Sequence, residues 1–345
     1  MEWTGPGFVD HHAHLLRAAG LTAESWGSTA AIRALHESCA RRGESPVDAI
    51  EPPERDDLRG VLAAALERAA SVGLVEVWEA GVRHPSYLEA LLALREQGPL
   101  PLRVRLLVAA GLAKHEMPAR TGDPWLDVVG VKFYADGWLG PRTCAVSSGF
   151  HDEPGNDGLL FEPADHLARR IQPFADTGWR IATHAIGDRA IEAVLDAYER
   201  VFGRDCRSAA PRIEHAQLLR PDLIARMAAM GVVACIQPGF ALDDKEHAHA
   251  ALDGDWPMAY RWSALLESGV PVVTGSDYPI DRLEPLRGLV KLLNNPFDRL
   301  SRDVALRLVT RADAGSVTLS ADPGAVAVDD IASLEVLRTV AEPRA

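Results

Sequence analysis

The alternation of short apolar runs with longer amphipathic segments restricts the fold of this sequence more than any other feature. Eight runs have the composition of buried strands, and most are followed by a segment with helical periodicity. Repeated strand–helix units predict a parallel sheet, and eight of them predict an α/β fold of the closed (β/α)8 TIM barrel type, with an open doubly wound sheet as the alternative. The predicted strands are Gly7–Leu15, Leu74–Ala80, Arg103–Ala110, Val128–Asp136, Arg180–Gly187, Arg212–Gln217, Val232–Pro238 and Val270–Asp277.

The length of 345 residues suits one barrel with insertions and an appendage. We expect residues 1–312 to form the barrel and residues 313–345 to form a tail that is the remnant of a small β domain. Within the tail, a turn at 322–324 predicts a strand hairpin packed against the barrel. In the helices, Asp188 is predicted to cap one helix and Gly231 to end another. Residues 16–55, 137–162 and 239–256 are predicted to form long loops at the barrel mouth.

Composition limits the class of protein. Hydrophobic residues make up 47% of the chain, which allows a large core, and the formal charge of −13 gives no general attraction to nucleic acid or anionic membranes. The sequence has no secretory signal and no long apolar stretch, so we expect a cytoplasmic protein. Four scattered cysteines form no CxxC pair, which fits a reducing compartment. These are Cys39, Cys144, Cys206 and Cys235.

Polar side chains follow many of the apolar runs, at the end of the barrel where active sites form. On the first strand, regular alternation predicts that Asp10, His12 and His14 face one way and His11 the other. Two imidazoles on one face can bind one metal ion, and Asp10 can orient one of them. A polar patch in the core is the alternative interpretation.

Lys132 lies inside a hydrophobic strand, where burial of an ammonium group is costly. Four explanations are open: an ion pair with an acid such as Asp136, a lowered pKa, a head group that reaches solvent, or carboxylation of the amine. The resulting carbamate would carry two oxygens and could bridge two divalent metal ions.

Three more candidates stand near the ends of later strands. His184 and His215 are each, taken alone, more typical of satisfied core histidines. Asp277 ends the eighth strand, where a carboxylate beside a metal stays ionised and can take a proton from water. All the candidates together predict a site for one or two divalent metal ions, with zinc first and manganese, iron or cobalt as alternatives.

Five segments contain these residues: Pro6–His14, Gly130–Thr143, His184–Ala190, Arg212–Gln217 and Gly275–Pro279. Together they resemble the amidohydrolase superfamily, and within it the branch of N-substituted formamide deformylase-like enzymes, over residues 6–312. The resemblance implies a barrel, a metal centre and a set of residue roles. His12, His14 and Asp277 would hold the more buried metal, His184 and His215 the second, a carboxylated Lys132 would bridge them, and Arg142 would hold a substrate carbonyl or carboxylate.

The implied function is hydrolysis of an amide-type C–N bond in a small N-acyl or N-formyl compound by metal-activated water. Asp277 would act as general base and then acid, and His215 or Arg142 would help to stabilise the oxyanion. A deaminase or cyclic amide or imide hydrolase is the main alternative. A metal-dependent isomerase or decarboxylase and a non-catalytic binding protein are further ones. No organic cofactor is required, and homo-oligomers are common among such barrels.

The sequence departs from the family in its first residues, because relatives have a strand-rich segment before the counterpart of Pro6. We therefore expect the β-sandwich appendage to be reduced or absent. Several aromatic residues are expected at the barrel mouth, and three polar residues at strand ends are candidates for substrate contact. The aromatic residues are Trp26, Tyr134, Trp138, Phe240 and Trp256, and the polar ones are Glu76, Glu79 and Gln237.

Overall fold

Ten strands form one sheet in the computed structural model, which describes residues 1–15, 29–42 and 57–343. Strands β1 to β8 pair in parallel in chain order, and β9 and β10 extend the sheet beyond β1 in antiparallel pairing. All eight predicted parallel strands are present. The strands are β1 Trp3–Ala13, β2 Leu74–Val82, β3 Arg103–Ala109, β4 Leu126–Tyr134, β5 Arg180–Ala185, β6 Arg212–His215, β7 Val233–Ile236, β8 Val272–Thr274, β9 Thr310–Leu319 and β10 Val336–Ala341.

Helices cover the outer face of the sheet, and the main hydrophobic core lies between the two layers. Gly231 ends α7 in the left-handed conformation, as predicted. Asp188 does not cap α6, because it is the first helical residue and its carboxylate accepts hydrogen bonds from Ser147 and Arg220 instead. The helices are α1 Thr29–Arg42, α2 Leu58–Ser71, α3 Pro85–Glu96, α4 Ala110–Ala113, α5 Ala164–Asp176, α6 Asp188–Phe202, α7 Pro221–Met230, α8 Pro238–Asp243, α9 Lys245–Leu252, α10 Trp262–Glu267, α11 Pro285–Leu293, α12 Arg302–Val309 and α13 Val328–Ile331.

The barrel closes where the first strand meets the segment that follows β8. The Asp277 amide donates to the His12 carbonyl at 2.7 Å, and the His14 amide donates to the Tyr278 carbonyl at 2.7 Å. At the same seam, Gly275 packs so closely that a Cβ would lie 2.5 Å from the Cβ of His12. Only glycine fits there, so the closure brings the first and last strands together at the residues predicted to bind metal.

Asp10 belongs to this seam and not to the inner face of β1. Its Oδ1 accepts hydrogen bonds from the amides of His12 and Ser276, each at 3.0 Å. The carboxylate therefore ties β1 to the segment after β8. The prediction that Asp10 shares a face with His12 is wrong, because the strand does not alternate regularly here.

Irregular pairing in β1 and β4 directs neighbouring side chains to different ends of the barrel interior. Between Asp10 and Ala13, β1 contains one residue more than the facing stretch of β2. As a result, His12 lines a cavity at the carboxyl ends of the strands, the mouth cavity, while His11 lines one at their amino ends, the floor cavity. The prediction that His11 faces away from the barrel interior is therefore wrong. An extra residue in β4, Val129, has the same effect, since Val129 reaches the floor and Lys132 the mouth.

The tail forms the predicted hairpin. Strand β9 pairs with β1 from Trp3 opposite Leu319 to Phe8 opposite Thr310, and β10 pairs with β9. The division into a barrel of 1–312 and a remnant β domain stays a prediction, although the hairpin directly extends the barrel's first strand.

The segment after β7 was predicted to be a polar loop, but it is mostly helical. It contains α8, α9 and a 3-10 helix over Asp253–Met258. Trp26 lies outside the described residues, as does the side chain of Trp256. Among the described helices, none is long and apolar enough to cross a membrane. The four cysteines are buried free thiols.

Candidate metal centre

The six residues predicted to bind metal all line the mouth cavity, which has a volume of about 380 Å³. They come from the ends of five strands, β1, β4, β5, β6 and β8, and converge because the carboxyl ends of barrel strands meet at one rim. All six are buried or nearly so. The residues are His12, His14, Lys132, His184, His215 and Asp277.

Three of these side chains form a compact group. Asp277 Oδ1 lies 3.4 Å from His12 Nε2 and 3.2 Å from His14 Nε2. One ligand atom from each of the three residues lies within 4.8 Å of the others. Ligands of one zinc ion stand about 2.0–2.2 Å from it and hence a few ångströms from one another, so this spacing fits one divalent ion.

The surroundings of Asp277 and His215 favour the protonation states in which these two residues bind metal. Burial alone would raise the pKa of Asp277, but the adjacent His12 and His14 hold it well below its usual range. Burial and the neighbouring His184 keep the pKa of His215 well below that of a free imidazole. An ionised carboxylate and a neutral imidazole are the forms that coordinate metal.

His184 and His215 lie side by side next to this group. Their ring centroids are 4.5 Å apart, and His215 is 5.0 Å from the ring of His12. His184 Nε2 donates to the Gly137 carbonyl at 2.9 Å, which leaves Nδ1 with the lone pair. No described residue hydrogen-bonds Nδ1 of His215. The pair is therefore available to hold a second ion, although its atoms do not converge as closely as those of the first three.

Lys132 is 1% exposed, and its Nζ has no hydrogen-bond partner among the residues that the structure describes. The Nζ atom lies over the face of Tyr134, at 4.9 Å from the ring centroid. The expected partner Asp136 instead accepts hydrogen bonds from the amides of Ala145, Ile186 and Gly187. The explanations by solvent exposure and by an Asp136 ion pair are therefore wrong. A buried, unpartnered amine fits a carboxylated, metal-bridging lysine.

Two charged residues beside the metal-site candidates, Glu214 and Arg212, orient the ring of His12. Glu214 Oε2 lies 2.6 Å from His12 Nδ1, and Glu214 Oε1 accepts hydrogen bonds from Arg212 at 2.8 and 2.6 Å. Burial alone would raise the pKa of Glu214, but Arg212 and His12 hold it well below the usual range. A His12 Nδ1–H that donates to this carboxylate leaves Nε2 facing Asp277, as metal-binding histidines require. Sequence reasoning missed Glu214, although the alternation in Arg212-Ile213-Glu214 places both charged residues on one face.

Two of the site residues have unusual backbone conformations. His215 has φ 76° and Asp277 has φ 56°, both in the left-handed region that non-glycine residues rarely adopt. Each stands where its strand has ended. Such strain is typical of positions that the surrounding structure fixes for function.

The remaining walls of the mouth cavity are mostly apolar. The rings of Tyr134, Trp138 and Phe240 line it, as predicted, and Phe240 lies parallel to the His215 ring at 6.0 Å. Polar groups are few. The other lining residues are Leu139, Gly140, Pro141, Ile186, Gln217, Asp243, Asp244 and Ile280.

Arg142 lies behind this wall rather than on it. Its guanidinium forms an ion pair with Asp152 at 2.6 Å and donates to the carbonyls of Leu139 and Gly140. The predicted contact with a substrate carbonyl therefore has no support from its placement. Instead, Arg142 holds the loop whose backbone borders the cavity.

The three polar strand-end candidates have different locations. Glu79 lies beside His14, with Oε1 3.5 Å from Nδ1. Gln237 binds the Cys235 carbonyl and is not part of the cavity wall. Glu76 lies at the floor with Arg103, so its predicted contact with substrate is wrong: it comes near the start of β2, not its end.

Comparison with known sequences supplies a family match. The sequence model of the amidohydrolase family matches residues 43–344. The Bacillus subtilis protein YtcJ, an amidohydrolase by name, is 30% identical over 275 residues, which are 70% of this chain and 52% of YtcJ. The N-substituted formamide deformylase of Arthrobacter pascens is 26% identical over 191 residues, 47% of this chain and 35% of that enzyme. The chain thus spans about half the length, or less, of these two relatives.

Comparison with solved structures supports the fold. The crystal structure of an uncharacterised metal-dependent hydrolase from Pyrococcus furiosus superposes with a TM-score of 0.71 and 21% sequence identity. The match covers 100% of this chain and 88% of that one. The barrel fold predicted from the sequence is confirmed.

Proposed function

The chain belongs to the amidohydrolase family, and on that premise we propose that it is a metal-dependent hydrolase that cleaves a C–N bond of amide type in a small molecule. The observation that carries the proposal is the convergence of His12, His14 and Asp277 in a cavity that Lys132 also lines. Because neutral imidazoles and carboxylates are the ligands zinc prefers, zinc is the first candidate metal.

The metal would hold the substrate carbonyl and activate water for attack, which is the chemistry that the side chains alone do not supply. His12, His14 and Asp277 would bind the first ion. His184 and His215 would bind a second ion, and a carboxylated Lys132 would supply a further oxygen ligand.

Asp277 is the residue we assign to proton transfer. Its ionised carboxylate would accept a proton as water attacks the carbonyl carbon and deliver that proton to the leaving nitrogen. His215, whose ring stacks on that of Phe240, would contact the developing oxyanion. Glu214 and Arg212 keep His12 oriented through both steps.

The walls indicate the kind of substrate. Tyr134, Trp138 and Phe240, together with Leu139 and Ile280, enclose an apolar volume next to the proposed metal ligands. A compound with an aromatic or branched apolar group on the amide fits such a wall, with the reacting carbonyl at the metal end. An N-formyl or N-acyl derivative of an apolar amine is therefore the substrate class we propose.

Two measurements test the proposal. Elemental mass spectrometry of protein purified without chelators should find divalent metal, and His14→Ala should lose it while His115→Ala, which changes an exposed histidine outside the mouth, should keep it. Mass analysis of products from N-formyl and N-acyl amines should show addition of one water and release of the amine. Protein that holds no divalent metal, even after zinc is supplied, would refute the proposal. Release of ammonia or carbon dioxide instead of an amine would redirect it to a deaminase or a decarboxylase.

A further inference from the structure

The loop at residues 137–143, the wall loop, supplies a large part of the apolar wall of the mouth cavity. Its members Trp138, Leu139, Gly140 and Pro141 all line that cavity. The loop belongs to no helix or strand, so contacts from elsewhere in the molecule fix its shape. Trp138 carries the largest of its side chains, and the position of that ring sets how much room a substrate has.

Helix α1 contacts the wall loop at two points. Arg33 donates to the Pro141 carbonyl at 3.1 and 2.9 Å and forms an ion pair with Glu153 at 2.8 Å. One turn later, His36 Nδ1 lies 2.8 Å from Thr143 Oγ1. None of the described residues of α1 lines the mouth cavity, so the helix acts on a bound substrate only through the loop.

The Thr143 hydroxyl connects His36 to Trp138. It accepts a hydrogen bond from the Trp138 amide at 3.0 Å, and the Thr143 amide donates to the Trp138 carbonyl at 3.0 Å. A neutral imidazole offers one acceptor nitrogen, so the hydroxyl can donate to His36 while it accepts from Trp138. The His36 ring also meets the Trp138 ring edge-on, with centroids 4.7 Å apart and an interplanar angle of 80°. His36 therefore holds both the backbone and the ring of Trp138.

The packing around this link leaves little room for another arrangement. A Cβ on Gly137 would lie 2.3 Å from Thr143 Oγ1 and 2.8 Å from His36 Nδ1, so only glycine fits there. His36 is 1% exposed, and its ring also meets that of Phe161 edge-on at 5.7 Å. An apolar side chain would cost less to bury than an imidazole, which indicates that the hydrogen bond to Thr143 serves the loop.

We propose that His36 is a positioning residue that determines which substrates the mouth cavity accepts, an inference that rests on the proposed function. Through Thr143 it holds the ring of Trp138 against the apolar group of the substrate. Without this link the ring is free to turn away from the wall, and a substrate with a large apolar group loses contact with it. A small substrate that does not reach the ring is unaffected.

The proposed metal ligands do not depend on this link. His184 Nε2 donates to the Gly137 carbonyl, and the preceding residue, Asp136, is fixed by three backbone amides that donate to its carboxylate. These hydrogen bonds remain when the side chain of His36 or Thr143 is changed. Loss of the link should therefore weaken the binding of large substrates without slowing the reaction at the metal end.

Steady-state kinetics with the N-formyl derivatives of phenethylamine and of methylamine test the proposal. Thr143→Val should raise KM for the larger amide about tenfold, the effect of losing one buried hydrogen bond, and change its kcat less than about twofold. Both constants should stay the same for the smaller amide. Thr143→Ser, which keeps the hydroxyl, should restore the original KM. An unchanged KM in Thr143→Val, or equal losses on both amides, would overturn the proposal.

A double-mutant cycle shows whether His36 acts through Trp138. His36→Ala should raise KM for the larger amide as Thr143→Val does, while Glu37→Ala, at an exposed neighbour on α1, should not. In a Trp138→Ala background, His36→Ala should cause no further rise in KM. A further rise as large as that in the single variant would mean that His36 does not act through Trp138.

A measurement without substrate separates the failure of this inference from that of the proposed function. In protein labelled with fluorotryptophan, the fluorine signal of Trp138, assigned with Trp138→Phe, should shift or broaden in His36→Ala and in Thr143→Val but not in Glu37→Ala. Thr143→Val keeps the shape of the side chain and covers the case in which His36→Ala fails to fold. If the unaltered protein hydrolyses neither amide, the proposed function fails while this signal still reports on Trp138. An unchanged Trp138 signal in the folded variants would refute the positioning role.

Discussion

The mouth and the floor of this barrel are built on the same strands but are lined by different kinds of charged and polar side chains. At the mouth, imidazole rings surround a carboxylate whose pKa the adjacent His12 and His14 hold low, a set of ligand types suited to a cation. At the floor, arginines outnumber carboxylates, and burial together with Arg212 and Arg311 lowers the pKa of His11 to about 3. The kind of side chain that lines each cavity therefore depends on how far along a strand the residue lies, and not on which strand carries it.

Strand β6 makes the contrast within four residues. Arg212 stands at the floor, Glu214 in the middle and His215 at the mouth, and Glu214 binds both Arg212 and the metal-site residue His12. A small apolar cluster lies between the two ends of the barrel. The ion pairs of Glu214 with Arg212 and with His12 nevertheless connect them. The following predictions test how independent they are, from the largest expected effect to the smallest.

Replacement of Asp277 by Asn should remove most of the catalytic activity at the mouth and leave the floor of the barrel unchanged. We expect turnover to fall about 10³-fold or more, since the proton acceptor is lost. Steady-state kinetics with the best N-acyl substrate measure the effect, and Asp176→Asn, at an exposed residue of α5, is the control. Near-normal turnover would exclude proton transfer by Asp277.

Replacement of Lys132 by Met tests whether the buried amine is carboxylated. If the carbamate bridges two ions, the variant should bind one metal ion fewer per chain. Its turnover should then fall on the order of 100-fold, as expected when one Lewis acid is removed. If Lys132 is a plain ammonium, Met should leave metal content unchanged and the protein at least as stable, because an unpaired buried charge is removed. Elemental analysis with bicarbonate present, together with thermal unfolding, distinguishes the two.

Replacement of Glu214 by Gln removes the carboxylate that contacts both His12 and Arg212. Zinc affinity should fall about 10–100-fold, because His12 loses the carboxylate that orients it. The fold should also lose stability, since Arg212 is left buried without its partner. Chelator competition measures the first effect and urea unfolding the second. Unchanged zinc affinity would mean that the orientation of His12 does not depend on Glu214.

Acid should weaken the wall of the mouth through His36. This residue packs against Trp138, with ring centroids 4.7 Å apart, and hydrogen-bonds Thr143 Oγ1 at 2.8 Å. Burial lowers its pKa from 6.5 to about 4, so between these pH values the unfolded chain binds more protons than the folded one. Stability should therefore fall as pH drops from 6.5 to 4, by about 3 kcal/mol in total, and no further below 4.

The matched variant for this effect is His36→Gln, which can still hydrogen-bond Thr143 but does not titrate. Urea unfolding of both proteins across this pH range gives the difference in unfolding free energy. Parallel curves for the two proteins would show that His36 has the same pKa in the folded protein as in the unfolded chain.

Much of the fold was predictable because buried parallel strands leave a strong pattern. Each of the eight apolar runs predicted to be strands is a strand in the structure, and Gly231 ends its helix. The helices after β7 were missed because their mouth-facing surfaces carry charged residues such as Asp243 and Asp244, which resemble a loop in sequence. Asp188 was misassigned because capping residues and residues of the first helical turn have similar composition.

The sequence predicted which residues line the candidate site, but not which residues hold those side chains in position. Side chains at the ends of barrel strands converge wherever the strands close, so the six mouth residues followed from their positions. The placement of Arg142 gives its predicted role no support, because a sequence does not reveal that Asp152, ten residues later, forms an ion pair with its guanidinium. Glu214 was overlooked because its partner His12 is 202 residues away.

The sequence by itself determined the barrel, the order of the proposed metal ligands around its mouth and the acidic character of the chain, because these depend on local composition and on the repeat of strand and helix. Only the tertiary structure decided which way each side chain points. One extra residue in β1 directs His11 to the floor and His12 to the mouth, and such a shift depends on the pairing with β2, not on the residues themselves. Strand pairing also gathers arginines from separate strands around the floor cavity, although they are far apart in the sequence.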